Sequence, residues 1–270
     1  MTFPVAAART TTADPSGTQT HSIGLGSPSA GNLLVVVAAS SGAGGAFVID
    51  EAVSGPGWFV IGGGTGTNLR VAVLAKVAAG SDALTLRTIN AVRMASVCYR
   101  ITGHGSSVAG GATATASSTN GDPPNAAITG AAQDVLYLAA LASAVSVASA
   151  APSGYGSLTT ASAGTVFMSS AELGANGTSN NPGTFTNTSQ EWLATTVAIP
   201  ELAITTAARM TQEAVEAVTN TARAARVTQI AAEVVSQVTV AARLTQIAVE
   251  MVSENVPDGV ARPSMLFIAT

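Results

Sequence analysis

Glycine stops abruptly in this chain. Of 27 glycines, only Gly259 lies beyond residue 200, and residues 201–256 contain neither glycine nor proline. Both residue types interrupt regular helices, glycine through its backbone freedom and proline through its missing N–H. A segment punctuated by them at short intervals must be built from short pieces joined by turns. The last quarter of the chain obeys a different rule. The boundary falls at Ala198-Ile199-Pro200-Glu201, which predicts one domain over residues 1–200 and a second over 201–270.

Short apolar or alternating runs recur through the first part. They are Leu33–Ala39, Trp58–Ile61, Leu69–Val77, Leu84–Ile89, Met94–Ile101, Val135–Leu141, Thr165–Ser169 and Trp192–Ile199. In Leu69–Val77 the residues Leu69, Val71, Val73, Ala75 and Val77 share one face of an extended chain, and Arg70, Leu74 and Lys76 fall on the other. Period 2 with β-branched residues predicts half-buried strands. Turns are expected at Gly42–Gly45, Gly62–Gly66, Gly103–Gly105 and Asp122-Pro123-Pro124. Val135–Ala150 also suits a short helix, since Ala and Leu favour one, but the strand reading is preferred. The expected fold is mainly β: an antiparallel β-sandwich, jelly-roll-like, over residues 1–200.

The second part is a tandem repeat. Residues 207–223, 224–240 and 241–256 open AARMTQEAVEAV, AARVTQIAAEVV and AARLTQIAVEMV, with Arg209, Arg226 and Arg243 at a constant interval. A repeated unit this short cannot bury its own apolar face, so it must stack on neighbours, on the first domain or on other chains. As a helix, Val227, Ile230, Ala231 and Val234 would form a stripe; as a strand, Thr228, Ile230, Ala232 and Val234 would share a face. At about 100° per residue, one repeat leaves a net rotation of about 260°, so one straight helix would not present a continuous stripe. A short-repeat β tail is the preferred reading, with short helices as the alternative. The expected assembly residues are Arg209, Gln212 and Glu216 in the first copy. They are Arg226, Gln229, Ile230 and Glu233 in the second, and Arg243, Gln246, Ile247 and Glu250 in the third.

Composition excludes some partners. Charged residues make up 10% of the chain, against about 25% in an average domain, and the net charge is −4. That balance argues against a nucleic-acid surface. The apolar runs are shorter than the ~20 residues a membrane helix needs, so no membrane insertion is expected. Met1-Thr2-Phe3-Pro4 has neither the basic nor the apolar region of an export signal.

Reactive residues are few. Cys98 has no partner for a disulfide and lies in an apolar run, which predicts a small buried hydrophobe. His104 is expected to be a polar loop residue and His21, after Gln19-Thr20, to sit at a strand start with no catalytic role; Gly103-His104-Gly105-Ser106-Ser107 is not a nucleophile elbow. Gly62-Gly63-Gly64-Thr65-Gly66 lacks the Lys-Ser/Thr that follows a phosphate loop. Asp50 and Glu51 are adjacent and would point to opposite faces of a strand. No cofactor is expected and no Cys/His metal site, although a carboxylate-only Ca²⁺ site is left open. Trp58 and Trp192 sit in apolar runs and are expected in the core.

Several motifs in order resemble a β-sandwich of tailed-bacteriophage tail and virion proteins. They are Gly31-Asn32-Leu33-Leu34-Val35-Val36, Gly57-Trp58, Lys76-Val77-Ala78-Ala79-Gly80-Ser81, Tyr99-Arg100-Ile101-Thr102-Gly103 and Trp192-Leu193-Ala194-Thr195-Thr196-Val197-Ala198. The C-terminal repeats likewise resemble short repeats of phage structural proteins. The resemblance implies a non-enzymatic virion component, made in the host cytoplasm: a tail, fibre or capsid/neck decoration protein. It also implies a homo-oligomer, with a trimer favoured, in contact with other virion proteins. The alternative is a carbohydrate-binding or host-attachment module with a host glycan as partner. The aromatic content of 4% weighs against that alternative.

Overall fold

The computed structural model describes residues 3–42, 47–105 and 109–201. The tandem repeats, with every expected assembly residue from Arg209 to Glu250, lie outside the described residues. Within those residues the fold is mainly β, with one four-residue helix.

Two antiparallel sheets make up the body, each from its own half of the chain. The first half supplies β1 (Val5–Ser22), β2 (Leu33–Ser41), β3 (Val48–Ile49), α1 (Glu51–Ser54), β4 (Phe59–Thr65), β5 (Leu69–Val77) and β6 (Thr85–Thr102). Its sheet has the order β1-β6-β2-β5-β4, with β3 attached to β6. The second half supplies β7 (Ala109–Gly121), β8 (Ala126–Ala127), β9 (Gln133–Ser143), β10 (Gly156–Ser162), β11 (Phe167–Gly177), β12 (Ser179–Asn180) and β13 (Phe185–Pro200). Its sheet has the order β10-β11-β9-β13-β7, and β8 pairs with β12 apart from it.

The pairing explains why the central strands read as unbroken apolar runs. Strands β2 and β4 are both antiparallel to β5 and therefore run the same way. Two parallel strands cannot be joined by a hairpin and need a crossover. The same holds for β1 to β2 over β6, and for β5 to β6 over β2. These crossovers lie on the outer face of the sheet. They bring Ile23, Leu25, Trp58, Ala78 and Leu84 onto Leu34, Val36, Leu74 and Cys98. On the inner face, Leu33, Val35, Val37, Val97 and Ile101 share one core with Leu136, Leu138, Met168, Leu193 and Ile199 of the second sheet. Strand β2 is thus buried on both faces, and a strand in that position needs apolar residues at every position. Strand β9 is its counterpart: Leu136 and Leu138 face inward, while Val135, Tyr137 and Leu141 lie beneath Ile128, Tyr155 and Phe185.

Several expectations change against this frame. Strand β5 has the predicted bounds but is buried on both faces rather than half-buried. Leu84–Ile89 and Met94–Ile101 belong largely to one long strand, β6. Val135–Leu141 lies in a strand, β9, which is the reading preferred over a short helix. Asp50 precedes α1 and Glu51 opens it, so neither is on a strand. Strands β1, β7 and β10 carry no apolar run and were invisible to periodicity.

Candidate functional site

Among the described residues, polar side chains with catalytic potential gather in two places besides the Arg9–Glu172 ion pair and the Tyr99–Ser170 hydrogen bond that join the two sheets. The first is the bulge in β1. The strand ladder shifts register between Asp14 and Thr18, where Pro15-Ser16-Gly17 loops out. Asp14 sits at the centre of this irregularity. Its carboxylate accepts hydrogen bonds from the Ser16 N–H (3.1 Å) and the Thr18 hydroxyl (2.7 Å), and lies 2.9 Å from His21 Nδ1. The other ring nitrogen, Nε2, lies 3.5 Å from Thr88 Oγ1. Burial pushes the Asp14 carboxyl up, but the hydrogen bonds from Ser16, Thr18 and His21 outweigh it and hold the group well below the usual carboxylate range.

Carboxylate, imidazole and hydroxyl in series are the parts of a nucleophilic triad. Here they are not arranged to work as one. His21 is 1% exposed and Thr88 6%, so no substrate reaches the hydroxyl. Thr88 also donates its proton to the Asn90 carbonyl at 2.8 Å. His21 is therefore a buried strand residue that fastens the bulge, and it lies near the end of β1 rather than at the expected strand start. No periodic signal distinguishes it; the clue in the sequence is Asp14-Pro15-Ser16-Gly17, a turn signature inside a strand.

The second place joins motifs that are far apart in sequence. Lys76 Nζ lies 2.8 Å from Asp82 Oδ1 and 5.8 Å from the centre of the Trp58 ring. The other Asp82 oxygen accepts the Ala79 N–H (2.8 Å) and the Gly80 N–H (3.0 Å). Burial raises the Asp82 pKa, and the bonds from Lys76, Gly80 and Ala79 together bring it below the ordinary value. Trp58 Nε1 donates to the Ala83 carbonyl at 2.9 Å. Nearby, Gly31 N–H bonds the Ala78 carbonyl and Ala78 N–H bonds the Asn32 carbonyl. Arg100 donates to the carbonyls of Gly26 and Ser27. Gly31-Asn32, Gly57-Trp58, Lys76–Ser81 and Arg100 are thus parts of one clasp that holds the crossovers of the first sheet. The ammonium and the carboxylate are committed to each other, and freeing either would leave a buried charge.

Trp58 and Trp192 are both buried. Cys98 is buried, and desolvation pushes its thiol up to about 12, which removes it as a nucleophile. His104 bonds the Gly31 carbonyl through Nε2 at 3.0 Å and pairs with Glu201 through a β-bridge. A groove of about 270 Å³ is lined by Phe47, Val60, Gly62, Thr65 and Arg70 among others. The Arg70 guanidinium there is already engaged by the carbonyls of Gly66 and Leu69. Among the described residues no group of three His, Cys, Asp or Glu side chains could hold a metal. No family model, curated protein or solved structure matches the chain.

Proposed function

We propose that this chain is a non-enzymatic structural component of a tailed-phage virion, assembled through its C-terminal repeats. The body is read as a β-sandwich whose sheets each come from one half of the chain. The observation that carries this reading is the tandem repeat. Three copies conserve Ala-Ala-Arg, Thr-Gln, Ala, Glu and Val in fixed positions. A unit of that length is stable only when its apolar face is covered by another. The body supports the reading in a second way. Its potentially reactive groups, Asp14 with His21 and Lys76 with Asp82, fasten the backbone. Of the motifs that resemble phage proteins, those around Gly31-Asn32, Gly57-Trp58, Lys76–Ser81 and Arg100 meet in the clasp of the first sheet, and Trp192–Ala198 lies in β13 of the second. With both tryptophans buried, the observations favour assembly over the glycan-binding alternative.

Light scattering coupled to size exclusion tests the proposal. The full chain is expected to run as a homo-oligomer, with a trimer as the first expectation, and residues 1–201 as a folded monomer. A full chain that stays monomeric, alone and with candidate virion partners, would overturn it.

A further inference from the structure

The two sheets have the same topology. Renaming β1, β2, β4, β5 and β6 as β7, β9, β10, β11 and β13 turns the order β1-β6-β2-β5-β4 into β7-β13-β9-β11-β10, which is the second sheet read from its other edge. All four strand pairings carry over, and all are antiparallel. The packing between the sheets obeys the same exchange. Strand β1 lies against β10 as β7 lies against β4; β6 against β11 as β13 against β5; and β2 against β11 as β9 against β5. An exchange that maps each half onto the other and preserves these contacts between them is the signature of a twofold axis.

Details that topology does not require repeat as well. The first strand of each half carries a bulge near its start, between Ala6 and Ala8 in β1, and opposite the step from Thr195 to Val197 in β7. In each half the crossover after the second strand places an aromatic on the outer face, directly after a glycine with positive φ. The pairs are Gly57 (φ 93°) with Trp58, and Gly154 (φ 82°) with Tyr155. The polar tip of that ring then bonds the connection between the last two strands: Trp58 Nε1 to the Ala83 carbonyl, and Tyr155 Oη to Asn180 Oδ1 at 2.7 Å. The ends of the two halves meet in the His104–Glu201 bridge. Strand β3 and α1 in one half, and the β8–β12 pair in the other, are additions without a counterpart.

We propose that residues 5–102 and 109–200 are two copies of one five-stranded unit. The inner face of each copy is then an interface built to take a second copy of that unit. Both faces are apolar, with Leu33, Val35, Val37, Val97 and Ile101 on the first and Leu136, Leu138, Met168, Leu193 and Ile199 on the second in one shared core.

A circular permutant tests the twofold relation. Strand β7 begins opposite Ala198 and β1 opposite Thr102, each at the end of its half. Residues 106–108 suffice to carry the chain from Gly105 to Ala109. The axis requires that an equally short link carry it from Glu201 to Phe3. The variant has the order 109–201, a three-residue Gly/Ser link, 3–105, and then 202–270, so that the tail leaves from the equivalent exit. The expected result is the far-UV circular dichroism of the natural chain and a cooperative melt within about 5 °C of it. The light-scattering mass should equal that of the natural chain, whatever that mass is. A second permutant carries a twelve-residue link. Folding with the long link alone would overturn the inference, because the exits would not be equivalent. Loss of the native spectrum with both links would overturn it too.

Discussion

Among the described residues, the Asp14–His21 and Lys76–Asp82 pairs hold backbone in place. Asp14 shows how that can be measured. Its folded pKa lies below the unfolded value of about 3.9, so the cluster contributes stability above that pH and loses it as pH falls through the folded pKa. Asp14→Asn keeps the shape and removes the charge. Hydrogen bonds to a charged group contribute about 1.5–3 kcal/mol, and Asp14 is partly exposed, so a loss near the lower end is expected at pH 7. The loss should shrink toward zero in strong acid, where the natural carboxyl is protonated as well. Urea titrations of both proteins between pH 7 and pH 2 measure it; a difference independent of pH would mean that charge is not the cause. Little of this cluster was legible in the sequence. His21 belongs to no apolar period, and its partner lies across a bulge that only the folded strand creates.

At the scale of the element, the legible strands and the missed ones differ by position. Strands β2, β5 and β9 lie inside their sheets, are covered on both faces, and announce themselves as apolar runs. Strands β1, β7 and β10 are edges, rich in Thr, Ser, Ala and Gly, and a polar edge strand resembles a loop when read by hydrophobicity. The crossovers were legible only as glycine-rich gaps, although they seal the outer faces. Trp58 is the test of that role. Trp58→Ala removes a buried ring, the Ala83 bond and the surface on which Lys76 rests. Truncations of this kind cost about 3–5 kcal/mol. Tyr155→Phe removes only the bond to Asn180 and should cost about 1 kcal/mol. Thermal melts that rank the two variants in the opposite order would show that the second crossover, not the first, is the critical cover.

At the scale of the whole body, the shared core decides whether the two sheets can come apart. Leu33, Val35, Val37, Val97 and Ile101 are all within 1% of full burial against the second sheet. Re-exposing five such side chains costs about 8–15 kcal/mol at about 1.5–3 each, which is comparable to the total stability of about 5–15 kcal/mol of an ordinary domain. Neither half should therefore survive the unfolding of the other. The chain contains two tryptophans, and they fall one to each sheet, Trp58 on the outer face of the first and Trp192 on that of the second. Trp192→Phe leaves fluorescence reporting the first half alone, and Trp58→Phe leaves it reporting the second. Circular dichroism reports both sheets in either variant. In each variant, the urea midpoint by fluorescence should coincide with that variant's own midpoint by circular dichroism, as a two-state transition requires. A fluorescence midpoint that precedes the loss of β-structure in one variant and follows it in the other would show the halves unfolding separately. The inner faces would then be too weakly coupled to act as one core.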